Sequence, residues 1–109
     1  MPMDVTASVS FSPDSKMVAT AGTDNLVWVW DIETGQQMMN LSGAAIMIYD
    51  LEWSPNGRML VGGGLDGYLY VWDTYTQKLV LRFDHGAPIC SVAFSPDGNL
   101  LAVGYDHYN

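Results

Sequence analysis

Cysteine is almost missing from this chain of 109 residues. Cys90 stands alone, so neither a disulfide framework nor a cysteine metal set can form within it. Basic residues are nearly as scarce: Lys16, Arg58, Lys78 and Arg82 lie singly against twelve acidic residues, leaving a formal charge of -8. Phosphate-tracking surfaces need clustered Lys and Arg, so direct nucleic-acid binding is not expected. Two histidines in no ligand-like spacing leave no metal site, and no cofactor is expected. No apolar run approaches the ~18 residues of a spanning helix, so membrane insertion is not expected. The opening "MPMDVTASVS" has neither a basic n-region nor an apolar h-region, so it does not read as a secretory signal. These absences, with the single cysteine, predict a soluble intracellular protein, cytoplasmic or nuclear. Helical apolar periodicity is missing too.

What the chain has in quantity is apolar residues, 49% of the total, arranged in a repeat. "SPDSKMVATAGTDNLVWVWD" from Ser12 to Asp31 returns as "SPNGRMLVGGGLDGYLYVWD" from Ser54 to Asp73, and begins again at Ser95. Pro13 and Pro55 are 42 positions apart, Pro55 and Pro96 are 41 apart, and Trp30 and Trp72 again 42. Phe11, Trp53 and Phe94 hold one aligned position; Val9, Leu51 and Val92 hold another. Repeats of this period define the architecture before any local feature does.

Each unit is made of short apolar runs separated by turn residues, which is strand behaviour. "VSF", "LEW" and "VAF" run into Ser-Pro-Asp/Asn turns, where Pro presets φ and Asp, Asn or Gly closes the bend. "MVATA", "MLVGG" and "LLAVG" follow as second strands. "LVWVWD" and "YLYVWD" form third strands, and "QQMMNLS" and "KLVLRF" fourth ones. The fold class is therefore all-β, with four antiparallel strands per unit. Units of ~40–45 residues with four strands and a Trp-Asp ending are the pattern of a β-propeller blade. Over essentially its whole length the chain resembles WD40-repeat proteins.

The resemblance implies about two and a half blades: repeat 1 at about 1–42, repeat 2 at about 43–83 and a truncated repeat 3 at about 84–109. A closed ring takes ~4–8 blades, so this is an incomplete propeller. Two expectations follow: a fragment of a longer propeller, which is the reading adopted, or several copies assembling. Either way an open arc exposes apolar blade faces and a strand edge, which favour self-association.

The family links His, Ser/Thr, Asp and Trp in a buried network. The resemblance assigns Trp30, Asp31, Trp72, Asp73, Asp24, Asp66 and His85 to structural motif positions. No unit holds all four members: Pro2 and Ala44 occupy the His positions of the first two, and Val103 and His107 replace two members in the third. Blade stability is accordingly expected to come more from packing. Cys90 with His85 is the raw material of a nucleophile and base. His85, however, occupies the structural His position, and Cys90 reads as a small hydrophobe of the first strand. "VGGGLDG" lacks the Gly-Lys-Ser/Thr ending of a phosphate loop, so its glycines read as strand ends and turns.

Aromatics two residues before each Trp-Asp, Trp28 and Tyr70, share a side of the strand with Trp30 and Trp72. Packing between blades is the expectation for them, with partner contact as the alternative. In the family, loops before the first strand and between the second and third gather at one rim. Thr23, Met47, Leu65 and Pro88 resemble protein-contact positions there. The function implied is a non-catalytic protein–protein interaction scaffold whose partners are other proteins or peptides. The alternatives are a stand-alone oligomerising β-blade protein and a propeller enzyme.

Overall fold

The computed structural model describes residues 6–22, 26–44, 48–64 and 66–105. Ten strands follow in chain order: β1 (Thr6–Phe11), β2 (Met17–Gly22), β3 (Val27–Asp31), β4 (Gln37–Leu41), β5 (Ile48–Trp53), β6 (Met59–Gly64), β7 (Tyr68–Asp73), β8 (Lys78–Asp84), β9 (Ile89–Phe94) and β10 (Leu101–Tyr105). They form sheets ordered β1-β2-β3-β4 and β5-β6-β7-β8, with a two-stranded sheet of β9 and β10. Every pairing is antiparallel. Among the described residues there is no helix, so the all-β architecture expected from the repeat is the architecture found.

The Ser-Pro turns explain the first hairpin of each sheet. Ser12 Oγ donates to Asp14 Oδ1 at 2.5 Å and accepts the Met17 N–H at 3.0 Å, while Asp14 also accepts the Lys16 N–H. Ser54 with Asn56 and Ser95 with Asp97 repeat the same bonds. The short polar side chains thus satisfy backbone groups that a tight turn leaves unpaired. One turn residue must adopt positive φ: glycine at 57 and 98, but Ser15 in the first unit, at φ 61°. Each first strand also carries an irregularity at the same repeat position, between Thr6 and Ser8, Ile48 and Asp50, and across the Ile89–Ser91 step. Such bulges bend a strand and re-aim its side chains.

The sheets stack in chain order, with β5 packed against both β1 and β9. The first core lies between the four-stranded sheets. Ala19, Ala21, Val27, Val29 and Leu41 of the first sheet join Leu51, Trp53, Leu60, Tyr70 and Trp72 of the second, all buried. Small residues on one face receive large ones from the other. Burying a ring such as that of Trp72 removes roughly 200 Å² from water, worth about 5 kcal/mol before ordering costs. The second core uses the opposite face of the second sheet: Val61 and Leu69 pack with Ile89 and Val92, flanked by Phe94, Leu101 and Val103.

Gly63 sets the spacing of that second core. A Cβ there would stand 2.3 Å from Ile89 Cγ2 and 3.0 Å from Ile89 Cβ. The sequence reading of "VGGGLDG" as strand ends and turns is therefore only part of the story: Gly62 and Gly63 lie buried within β6, Gly62 making room for Ile48 and Trp72 of its own sheet and Gly63 for the close approach of β9. We predict that Gly63→Ala destabilises the fold by about 1–3 kcal/mol, the usual cost of overpacking. The expected readouts are a lowered urea midpoint and faster proteolytic cutting within β9–β10. Unchanged stability and cutting would show that the small sheet does not depend on this approach.

Candidate functional site

The Trp-Asp pairs close each sheet rather than forming a reactive centre. Trp30 Nε1–H donates to Thr20 Oγ1 at 3.1 Å, across the β2–β3 pairing. Trp72 Nε1–H donates instead to the Ser42 carbonyl at 2.8 Å. The following aspartates hold the β3–β4 and β7–β8 turns: Asp31 Oδ1 accepts the N–H groups of Glu33 and Thr34, and Asp73 Oδ1 those of Tyr75 and Thr76. Asp73 Oδ2 additionally receives Arg58 at 3.0 Å and 3.2 Å. Asp66 is bound by the Tyr68 N–H at 3.0 Å and the Tyr70 hydroxyl at 2.7 Å. Both bonds to Asp66 come from β7, one from the Tyr68 backbone and one from the Tyr70 side chain. Asp24, the matching residue of the first repeat, lies outside the described residues.

The aromatics sort themselves by burial. Trp28 stacks on Trp30 with centroids 5.9 Å apart, and Tyr70 on Trp72 at 5.7 Å. Tyr70 is wholly buried, so its side chain offers nothing to a partner, and packing between sheets is its role. Trp28 is half-buried. Its face of the first sheet, with Val9, Phe11, Val18 and Trp30, borders a groove of about 600 Å³ that also takes in Thr20, Asp31, Ile32 and Gly35. Cys90 departs from expectation: it is exposed on β9 instead of packing as a hydrophobe. The bulge is the reason, since Ile89 and Val92 turn into the core while the residue between Ile89 and Ser91 is left out.

His85 is taken up by packing and backbone bonds. Its ring lies edge-on to Tyr105 with centroids 4.5 Å apart and 6.4 Å from Phe83, and its N–H donates to the Gly67 carbonyl at 2.7 Å. That bond ties loop 84–88 to the β6–β7 turn. A Cβ on Gly67, at φ +88°, would meet the Ala87 backbone at 3.2 Å. The residues following β8 and the β6–β7 turn therefore adjoin as a continuation of the β7–β8 pairing. Pro88 is half-buried in loop 84–88; Thr23, Met47 and Leu65 lie outside the described residues. Among the described residues no group of three His, Cys, Asp or Glu is placed to hold a metal, and no helix is long and apolar enough to cross a membrane.

Three polar links between first strands of neighbouring sheets escaped the sequence reading. The Leu51 N–H donates to Ser8 Oγ at 3.1 Å, and the Val92 N–H to Asp50 Oδ2 at 2.9 Å. Trp53 Nε1–H reaches the Ser10 carbonyl at 2.9 Å. Ser8 and Asp50 occupy one repeat position, one residue before Val9 and Leu51, and that alignment was the signal available for finding them. Each side chain fixes the first strand of the next sheet.

Carboxylates near the turns are held low by their donors. The Ser12 hydroxyl depresses Asp14, helped by the Lys16 N–H, and the Ser95 hydroxyl depresses Asp97 with the Asn99 N–H. Asp73 is held below the usual carboxylate range chiefly by its bond from Arg58. Glu52 moves the other way, raised by burial and by the charge of Asp50.

Sheets of four antiparallel strands, stacked in chain order on alternating large and small faces, are the blades of a β-propeller. Residues 9–93 match the family model for the anaphase-promoting complex subunit 4 WD40 domain, and the chain belongs to the WD40-repeat family. It is 32% identical over 101 residues to WD repeat-containing protein SL1-17 of Schistosoma mansoni, covering 93% of this chain and 34% of that protein. It is 46% identical over 46 residues to general transcriptional corepressor TUP1 of Saccharomyces cerevisiae, covering 42% of this chain and 6% of that one. The chain thus spans about a third or less of these curated relatives. The family is generally non-catalytic.

The Arg58–Asp73 pair yields a pH prediction. Because the folded carboxyl is depressed, its contribution is present above the ordinary Asp value of about 3.9 and fades as pH falls through the lower, folded value. Arg58→Met should therefore lower the urea midpoint at neutral pH, with the difference from the unaltered chain closing as pH falls below the ordinary Asp range and through the depressed folded value. A difference that stays constant with pH would assign the effect to lost packing of Arg58 on the Tyr75 ring, 5.1 Å away.

Proposed function

We propose that the chain is a segment of a non-catalytic scaffold, built into a longer WD40 propeller, that presents its rim loops to other proteins or peptides. On this reading repeat 1 occupies about 1–42, repeat 2 about 43–83 and repeat 3 starts at about 84. The observation that carries the proposal is the junction of loop 84–88 with the β6–β7 turn through the His85–Gly67 bond. It fixes the start of the loop leaving the second sheet beside that sheet's own β6–β7 turn, and loops so held are where recognition concentrates. The acidic balance of the chain suits a protein partner with basic residues at its contact surface. The names of the two relatives, a WD repeat-containing protein and a transcriptional corepressor, state no enzymatic activity, which supports a binding role over a catalytic one. Partner capture is placed at Pro88 with Thr23, Met47 and Leu65, and Trp28 beside the exposed groove is a secondary contact.

Alanine changes at Thr23, Met47, Leu65 and Pro88 test the rim. Affinity capture with the unaltered chain should enrich partners that the fourfold variant loses by tenfold or more, with the near-ultraviolet spectrum of the tryptophans unchanged. Equal enrichment by both would remove the rim from the binding surface.

A further inference from the structure

We infer that Asn56 is a site of spontaneous chemical modification, where water exchanges the side-chain amide for a carboxylate that the turn around it is already built to hold. Asn56 is exposed in the second Ser-Pro turn and is followed by Gly57. In the first step the Gly57 main-chain nitrogen attacks Asn56 Cγ. A C–N bond forms, the Cγ–Nδ2 bond breaks, and the amide leaves as ammonia, taking the proton of the attacking nitrogen. Water then opens the cyclic imide. Breaking the new bond to Cγ gives aspartate. Breaking the original peptide bond gives isoaspartate, whose main chain is one methylene longer. Water enters and ammonia leaves, with no oxidant or reductant. A residue without Cβ leaves its nitrogen open to such an approach, whereas Asn25, Asn40 and Asn99 all precede leucine.

The repeat supplies the second observation. Asp14 and Asp97 occupy the position of Asn56 in the first and third turns. Asn56 Oδ1 accepts the Ser54 hydroxyl at 2.6 Å and the Arg58 N–H at 3.0 Å. Asp97 Oδ1 accepts the Ser95 hydroxyl and the Asn99 N–H at the same distances. Both bonds fall on one oxygen, so replacing Nδ2 by a second oxygen leaves the turn intact. The hydroxyl and the N–H hold Asp14 and Asp97 below the usual carboxylate range, so the carboxylate is the form such a turn favours. Isoaspartate cannot be held this way. Its added methylene falls between Ser54 and Gly57, whose C=O and N–H close the turn at 2.8 Å. It also displaces Pro55 from the third turn, where a Cβ on Gly98 would stand 3.3 Å from Pro55 Cδ. The same bonds brake the reaction, because neither the Gly57 nitrogen nor the Asn56 amide is free until the turn opens. Turn 54–58 lies at the end of the second sheet opposite the β6–β7 turn, so the inference is independent of the rim reading.

The full chain, aged in neutral buffer and digested for mass spectrometry, should show residue 56 converting several-fold faster than Asn40 and Asn99. Guanidinium chloride should speed that conversion about tenfold or more, since a turn open about a tenth of the time reacts at about a tenth of the free rate. Gly57→Ser should slow it several-fold while keeping the fold, because Ser15 already stands at that repeat position with φ 61°. Asn56→Asp should keep the near-ultraviolet spectrum of the tryptophans and a urea midpoint at neutral pH no lower than that of the unaltered chain. After ageing, chains that survive a brief protease pulse should hold aspartate at position 56, with isoaspartate in the digested fraction. An unconverted Asn56, or conversion no faster than at Asn40 and Asn99, overturns the inference. So does an Asn56→Asp variant with a lowered midpoint, or isoaspartate shared equally between the two fractions.

Discussion

A four-stranded sheet with apolar residues on both faces cannot stand alone in water, and that constraint shapes every other feature of this chain. The first two sheets solve it by pressing a face of small residues, Ala19, Ala21, Val27 and Val29, against a face of large ones, Trp53, Leu60, Tyr70 and Trp72. The second sheet repeats the arrangement on its other side with Val61 and Leu69 beneath Ile89 and Val92. Size complementarity, not hydrophobicity alone, fixes the order of stacking, because two large faces would leave voids and two small ones would bury little.

Hydrogen bonds add register to that packing. A sheet sliding over an apolar neighbour meets little resistance, but Ser8 and Asp50 each capture one backbone N–H of the next first strand. The bulge beside each of these positions turns the polar side chain across the gap while its neighbours stay in the core. The same device explains why residues at the bulge are left exposed, Tyr49 in the second sheet and Cys90 in the third. The loop leaving the second sheet is held at its start by that sheet's own ladder, through the bond between His85 and Gly67.

Much of this was legible in the sequence, and what was not has a common cause. The Ser-Pro-Asp/Asn turns and the four-strand period are local patterns, and the ten strands fall where those patterns put them. The shared strand face of Trp28 with Trp30, and of Tyr70 with Trp72, follows from the period of two and is realised as stacked rings. Contacts between sheets are another matter. Nothing within β6 says that Ile89 will approach Gly63, and nothing within β9 says that Cys90 is displaced by a bulge. Tyr70 packs between sheets as its strand face suggested, but its bond to Asp66 was not read, because Asp66 had been assigned to a network with Trp72. Of the candidate rim, Pro88 sits in a loop joined to its neighbour, while Thr23, Met47 and Leu65 fall outside the described residues.

The central claim is that neighbouring sheets are fastened face to face through their first strands. Residue-resolved native-state hydrogen exchange of the amides of Leu51 and Val92 tests it most directly, since these two point away from their own sheets. Protection matching that of the central strand β6 is the result expected. Exchange at the rate of an exposed edge strand would mean that the sheets do not meet in solution as described, and the stacked architecture would fall with them.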